Sequence, residues 1–222
     1  AVHCADSFAR ACGYAQSPID DLLTFHVVFG KSVPDISLNA VANLGYAEGR
    51  FLAPVYPGDT LVARSQVVGV KENSNGRTGT VYVRTTGFRD GAAVLDYVRW
   101  VMVRKRDAAS PAPEPQVPQL KPALEVADLV VPANLKAPDD TEGVAGSRWR
   151  WEDYEVGERI DHVDGMTLEE AEHRIATRLY QNTARVHFDQ HREQHGRFGK
   201  CIVYGGHVLS LDRKSTRLNS SH

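Results

Sequence analysis

A long apolar run near the start of the chain predicts a buried helix. In "PIDDLLTFHVVFGKSV", Pro18 and the acidic residues after it suit the first turn of a helix. The apolar run that follows is longer than most strands, and this length favours a helix. We predict the helix from Ile19 to Lys31.

Four segments after this helix have the composition and patterning of strands. The alternation of apolar and polar positions is clearest in "VYVRTTGF" and "VLDYVRWVMVRK", and Asn-Gly and Asp-Gly pairs provide turns between neighbouring segments. A buried helix followed by an antiparallel meander predicts an α+β fold in which the sheet wraps around the helix. The predicted strands are Leu38–Leu52, Thr60–Lys71, Gly79–Phe88 and Ala92–Arg104.

A change of composition divides the chain into two parts. The stretch "AASPAPEPQVPQLKP" (Ala108–Pro122) is rich in proline, which lacks the N–H group that a sheet needs. Polar character continues to about Ser147. We therefore predict structured parts at 1–107 and 148–211, joined by a linker over 108–147.

Both ends of the chain look cut. The start has neither an initiator Met nor a signal-peptide pattern. The final "DRKSTRLNSSH" (Asp212–His222) matches the in-frame translation of a common sequencing adapter, so we expect an artefact there rather than a natural polar tail. The second part then stops at Leu211, without its sheet. On this basis we expect the chain as printed to be inactive and to expose an aggregation-prone helix.

Composition and charge exclude several classes of function. The chain has 222 residues, of which 42% are hydrophobic and 24% charged, as in a soluble globular protein. A formal net charge of −2 provides no basic field, so we expect neither nucleic acid nor a membrane surface as a partner. Apolar runs are too short to span a bilayer. Three cysteines without C-x-x-C spacing indicate reduced thiols in the cytoplasm, and no metal site.

The segment between the first two strands carries a motif of a known fold. In "RFLAPVYPGDTL", Pro57-Gly58 suits a tight turn, Asp59 can accept hydrogen bonds from nearby backbone, and Thr60 starts a strand. With the helix and meander around it, this F-x-x-P-V-x-P-G-D-T pattern resembles the MaoC-like branch of the hotdog fold, which includes acyl-CoA hydratases.

The second part resembles the start of a MaoC-like hydratase domain. In "WEDYEVGERIDHVDGMTLEEAEHRIATRLYQNTARVHFD" we predict a short strand carrying Gly157 and a capping box over 167–170 that opens a helix. The helix ends just before a match to the family's D-x-N-P-x-H-x-D segment. "GRFGKCIVYGGHVLSL" resembles the segment that leads into the family's central helix, where a glycine N–H faces the thioester. The matching positions of the D-x-N-P-x-H-x-D segment are Asn182, Ala184, His187 and Asp189.

Over residues 1–211 the chain is similar to mesaconyl-CoA (2-methylfumaryl-CoA) hydratases, for example in "LDYVRWVMVRKRD" and "RLYQNTARVHF". The resemblance implies a double hotdog whose second hotdog is incomplete. It also implies reversible addition of water to 2-methylfumaryl-CoA to give β-methylmalyl-CoA in the intact protein. The implied partner is an acyl-CoA thioester, with no cofactor beyond the coenzyme A of the substrate, and a homo-oligomer is compatible with it.

His187 is the predicted proton-transfer residue, because imidazole titrates near neutral pH and hydration of an unsaturated thioester needs a base and an acid. The alternative is a purely structural role, in which the histidine caps the bend after the helix. Asn182 stands where the wider family has a carboxylate, and an amide cannot act as a base. It could orient water or hydrogen-bond the imidazole, so we expect His187 to carry the base role.

The glycine pair Gly205 and Gly206 is predicted to begin the second central helix, where a backbone N–H suits a developing enolate oxygen. The alternative is that the glycines permit close packing. Their neighbours Tyr204 and His207 are weaker candidates, with Tyr204 predicted to touch substrate.

Two further residues of the second part are predicted to bind substrate. Arg185 could pair with the free carboxylate, or could be a solvated surface arginine. Asp189 could supply a carboxylate, although local backbone capping is the stronger interpretation. In the first part, His26 is interpreted as a satisfied core residue.

Three interpretations of function remain open. The leading one is the hydro-lyase. A second is an (R)-specific enoyl-CoA hydratase of fatty-acyl type, against which Asn182 argues because that class resembles the Asp version of the motif. A third is a non-catalytic hotdog protein that binds acyl-CoA.

Overall fold

The computed structural model describes residues 2–137, 149–163 and 165–211. The expected adapter-like tail over 212–222 and part of the linker lie outside the described residues. The elements are helices α1 (Asp6–Ala11) and α2 (Asp21–Ile36), strands β1 (Ala40–Phe51), β2 (Leu61–Glu72), β3 (Thr78–Arg89) and β4 (Ala92–Arg104), and then helices α3 (Glu170–Leu179), α4 (Gln190–Glu193) and α5 (Gly205–Leu211).

The predicted buried helix and meander are confirmed. The strands form an antiparallel sheet in the order β1-β4-β3-β2. Helix α2 begins after Asp20, whose side chain accepts a hydrogen bond from the Leu22 N–H at 2.9 Å. It continues five residues beyond the predicted end at Lys31 and includes Pro34, because the burial of Ser32 and Val33 keeps its buried face continuous.

The core of the first part lies between α2 and the sheet. Phe25, Val28, Phe29 and Val33 of α2 pack with Leu95 and Tyr97 of β4. The helix approaches β3 closely at Gly87, where an added Cβ would stand 2.6 Å from a methyl carbon of Val28. Burying each of these apolar side chains stabilises the fold by about 1.5–3 kcal/mol.

The turns have the chemistry that the sequence predicted. Gly76 and the Asp90-Gly91 pair have positive φ angles, as the tight turns of hairpins require. In the "PGDT" segment Gly58 also has positive φ, and the Asp59 carboxylate accepts hydrogen bonds from the Tyr56 N–H at 2.8 Å and from Arg89 at 3.1 Å.

The proline-rich linker is tied to the sheet at both edges. Gln116 exchanges two backbone hydrogen bonds of 2.8 Å with Val70 of the edge strand β2. The Lys121 N–H then reaches Glu48 of the opposite edge strand β1 at 3.1 Å. Burial opposes ionisation of Glu48, but this hydrogen bond and its ion pair with Arg84 outweigh burial and lower its pKa. Part of the predicted linker is therefore docked on the sheet of the first part.

Two predictions for the second part are wrong. Gly157 lies in a turn with a φ of 89°, a conformation that interrupts a strand. The described residues 149–163 and 165–211 contain no strand. The capping box forms two residues later than predicted, between Glu169 and Glu172, because Thr167 and Leu168 are exposed and lie outside the helix, which begins at Glu170.

The expectation that the second helix is exposed is confirmed for one of its sides only. Helix α5 contacts α2 through Ser210, which lies 2.6 Å from Nε2 of His26, and Leu209 packs partly against the core that contains Phe29. Val208 and Leu211 remain 41% and 40% exposed, so only one side of α5 is covered. Among the described residues, no helix has the length and apolar character needed to span a bilayer.

Candidate active site

The candidate site is built by the bend between α3 and α5 where it meets α2. The bend contains a 3₁₀ turn at Arg185–His187. Gly30 allows α2 to approach it, because a side chain there would collide with the backbone carbonyl of Tyr180 and meet the Asn182 nitrogen at 3.4 Å. The first part of the chain thus forms one wall of the candidate site.

His187 has one ring nitrogen engaged and one available. Its Nδ1 lies 3.1 Å from the carbonyl oxygen of Ile202. A carbonyl only accepts, so Nδ1 carries the proton and the neutral ring has its lone pair on Nε2. Within the described ranges Nε2 makes no hydrogen bond. The half-buried ring therefore presents a base.

The surroundings of His187 favour its neutral form. Burial lowers its pKa below the ordinary value of 6.5, the Ile202 carbonyl acts in the opposite direction, and neighbouring His173 lowers it further. His173 is itself buried, and its Nδ1 has no hydrogen-bond partner. A neutral imidazole at neutral pH is the form that can accept a proton from water.

This environment predicts the acid limb of the pH profile. Activity falls where His187 becomes protonated, so kcat/KM of the full-length protein is expected to drop to half below pH 6.5. Steady-state rates at a series of pH values check this, with circular dichroism at each pH to exclude unfolding. A half-maximal point clearly above pH 6.5 would contradict the assignment.

Asn182 shapes the bend. Its side chain is 3% exposed, and its Oδ1 accepts a hydrogen bond from the Ala184 N–H at 3.0 Å. Its own N–H donates to the Thr177 carbonyl at 3.0 Å. The hydrogen bond that Asn182 could have made to the imidazole is not formed among the described residues, where Asn182 Oδ1 bonds to the Ala184 N–H and Nδ1 of His187 to the Ile202 carbonyl. A role for Asn182 in orienting water stays a prediction.

Replacing Asn182 by alanine is expected to destabilise the chain by about 1–3 kcal/mol, because the Ala184 N–H loses its acceptor. Asn182→Asp keeps an acceptor at the same position and is expected to cost less. Urea unfolding of both variants checks this. The control is Gln194→Ala, an exposed amide whose loss is expected to change stability by about 0.5 kcal/mol or less. Equal losses for alanine and aspartate would exclude the capping role.

The other predicted substrate-binding residues differ in their exposure to solvent. Arg185 is exposed and forms no ion pair in the described part of the chain. Asp189 caps α4 by accepting a hydrogen bond from the Arg192 N–H at 3.1 Å, in agreement with the predicted capping of local backbone. Tyr204 is 2% exposed and its hydroxyl points to His26 rather than to open space.

The two glycines have different surroundings. Gly205 is exposed, with no heavy atom near the position of an added Cβ. Gly206 is buried, and a Cβ there would collide with the ring of Tyr204 and stand 2.8 Å from His26. Close packing therefore explains Gly206, whereas the backbone at Gly205 is open. The predicted oxyanion role of either N–H stays a prediction.

The sequence did not indicate that His26 belongs to the candidate site. It is buried, as predicted for a satisfied core residue, and both ring nitrogens have partners. Those partners are Tyr204 and Ser210, which lie 178 and 184 residues away in the chain. The only local signal was a polar residue on the apolar face of a helix, one turn before Gly30.

Comparisons with known proteins identify the family of the chain. A family model described as mesaconyl-CoA hydratase matches residues 2–219. The chain belongs to the mesaconyl-CoA hydratase family. It is 61% identical over 214 residues to the mesaconyl-CoA hydratase of Cereibacter sphaeroides, covering 96% of this chain and 62% of that protein. It is 60% identical over 207 residues to the β-methylmalyl-CoA dehydratase of Chloroflexus aurantiacus, covering 93% and 59%. The chain thus spans about three fifths of the length of these relatives.

Solved structures confirm the hotdog fold. A MaoC domain protein dehydratase from Chloroflexus aurantiacus superposes with a TM-score of 0.89 at 59% identity, covering 96% of this chain and 61% of that one. A Mycobacterium tuberculosis protein with a double hotdog fold superposes with a TM-score of 0.57 at 25% identity, covering 94% and 62%. The α+β hotdog fold expected for this mesaconyl-CoA hydratase family member is confirmed, and the division into a first and an incomplete second hotdog stays a prediction. In the described part of the chain, no group of three or more His, Cys, Asp or Glu side chains could hold a metal ion.

Proposed function

We propose that the full-length protein containing this chain is a hydro-lyase that reversibly adds water to 2-methylfumaryl-CoA to give β-methylmalyl-CoA. The observation that carries the proposal is the orientation of His187, whose Nδ1 is held by the Ile202 carbonyl so that Nε2 is the basic nitrogen. The names of the relatives from Cereibacter and Chloroflexus support the choice of substrate.

The proposed reaction uses one imidazole for both proton transfers. Nε2 of His187 takes a proton from water while the water oxygen bonds to the β-carbon of the unsaturated thioester. The thioester carbonyl then carries the negative charge of an enolate, and the backbone N–H of Gly205 or Gly206 is the candidate donor to it. Return of the proton from Nε2 to the α-carbon completes the addition, with no other reactant consumed.

The free carboxylate of this substrate needs a cation. Arg185 is exposed, lies two residues before His187 and has no acidic partner within the described residues, so it is available for such a pair. Asp189 is engaged in capping and Tyr204 is buried, so both are weaker candidates for substrate contact. We assign the reaction to the second hotdog, beginning near residue 148, and the first hotdog supplies its wall.

The proposed location of the protein is a reducing compartment. Cys4, Cys12 and Cys201 are free thiols, which supports a reducing compartment such as the cytoplasm. The partner is a coenzyme A thioester, and a homo-oligomer is compatible with hotdog packing.

Substrate choice is tested by following the absorbance of unsaturated thioesters with the full-length protein. We expect kcat/KM for 2-methylfumaryl-CoA to exceed that for crotonyl-CoA by at least about 100-fold, because the latter lacks the carboxylate. A preference for straight-chain enoyl thioesters would favour a fatty-acyl hydratase. Binding without turnover of any thioester would favour a non-catalytic acyl-CoA-binding protein.

A further inference from the structure

We propose that His26, which belongs to the first hotdog, is a positioning residue for the reaction centre in the second. This inference rests on the proposed function for its activity readout. His26 lies on α2 and is 2% exposed, so it cannot touch the substrate itself. It acts through the side chains that surround His187.

Three contacts tie His26 to three separate segments of the second part. Its Nδ1 lies 3.2 Å from the Tyr204 hydroxyl, and its Nε2 lies 2.6 Å from the Ser210 hydroxyl. Its ring stacks on Tyr180, with centroids 4.6 Å apart and planes inclined by 7°. Tyr180 begins the bend, Tyr204 precedes the glycine pair, and Ser210 lies on α5. One side chain therefore fixes all three segments.

Tyr204 passes this restraint on to His187. The centroids of these two rings are 5.5 Å apart, so the tyrosine ring forms part of the surface on which the imidazole lies. The ring of Tyr204 cannot swing away while its hydroxyl is bonded to His26. Its position also determines where Gly206 sits, because the glycine backbone packs against the tyrosine ring and against His26.

The two nitrogens of His26 can be tested separately. Asparagine places a polar group near the position of Nδ1 and can keep the bond to Tyr204, whereas glutamine reaches the position of Nε2 and can keep the bond to Ser210. Phenylalanine keeps the ring stacked on Tyr180 but loses both bonds. If positioning runs through Tyr204, only asparagine preserves it.

The test measures kcat and KM of the full-length protein with 2-methylfumaryl-CoA. We expect His26→Phe and His26→Gln to lower kcat at least about 10-fold with KM nearly unchanged, and His26→Asn to recover most of that loss. Tyr204→Phe is expected to cause the same loss, and adding it to His26→Phe no further loss. The control is Ser32→Ala, a buried polar residue of α2 that bonds within the first hotdog, which is expected to leave kcat unchanged.

A second readout does not depend on activity. Nitrogen NMR of the His187 ring is expected to show the Nδ1-protonated form in the wild-type chain and in His26→Asn, but a mixture of tautomers in His26→Gln. Equal kcat values for the asparagine and glutamine variants, additive losses in the double variant, or an equal loss in Ser32→Ala would overturn the inference. Inactive wild-type protein would refute the proposed function, and the NMR comparison would then decide the role of His26.

Discussion

Replacing His187 by alanine is expected to lower kcat of the full-length protein on 2-methylfumaryl-CoA by about 100-fold or more, because a positioned general acid–base contributes at least that much. The ring offers one basic nitrogen, Nε2, and its bond to Ile202 through Nδ1 holds that nitrogen in one orientation. Both proton transfers of the proposed reaction use it. KM is expected to change little, since the substrate contacts assigned to Arg185 remain.

The matched control is His191→Ala, which removes an exposed histidine four residues further along the chain. Its kcat is expected to equal that of the wild type. Steady-state rates from the absorbance of the unsaturated thioester measure both variants. If His187→Ala retains activity within about threefold of the wild type, the proton-transfer assignment is wrong.

Acid is expected to destabilise the chain through His26 by about 3 kcal/mol. Burial is the largest cause that lowers the pKa of His26 from 6.5 to about 4, with a further contribution from the charge of His207. Between pH 6.5 and about pH 4, the His26 imidazole is protonated in the unfolded chain and stays neutral in the folded chain. The free energy of unfolding therefore falls between pH 6.5 and about pH 4, and His26 adds no further slope below or above that range.

The slope of stability against pH isolates this effect. Urea unfolding of the chain at several pH values is expected to show a shallower acid slope for His26→Phe than for the wild type. The absolute stability of the variant also falls, because Tyr204 and Ser210 lose their partner, so slopes are compared. His195→Phe, at an exposed histidine, is expected to keep the wild-type slope. Parallel slopes for wild type and His26→Phe would show that His26 is not a buried neutral histidine.

The first hotdog could be predicted from sequence because its signals are local. The start of α2 and the four strands are found within two residues of the predicted ends, since apolar periodicity and Asn-Gly and Asp-Gly turns specify them. The end of α2 was missed because a Ser-Val-Pro sequence suggests a break, although burial of Ser32 and Val33 maintains the helix.

The second part was harder to predict for physical reasons. Its start over 149–163 has exposed apolar side chains, such as Trp151 at 87% and Val163 at 91%, so burial does not impose a strand there. The position of His187 in the motif was predictable, but the tautomer depends on the Ile202 carbonyl, which no local pattern reports. The contact of His26 with Tyr204 joins residues too distant in sequence for periodicity to reveal.

The central claim, that the full-length protein is a hydro-lyase acting on 2-methylfumaryl-CoA, is tested most directly by turnover in water enriched in heavy oxygen. Mass spectrometry of the product is expected to show one heavy oxygen atom in the β-hydroxyl group, with the thioester intact. The His187→Ala variant is expected to form this product at least about 100-fold more slowly. Heavy oxygen in a newly released carboxylate, together with free coenzyme A, would identify a thioesterase and contradict the account.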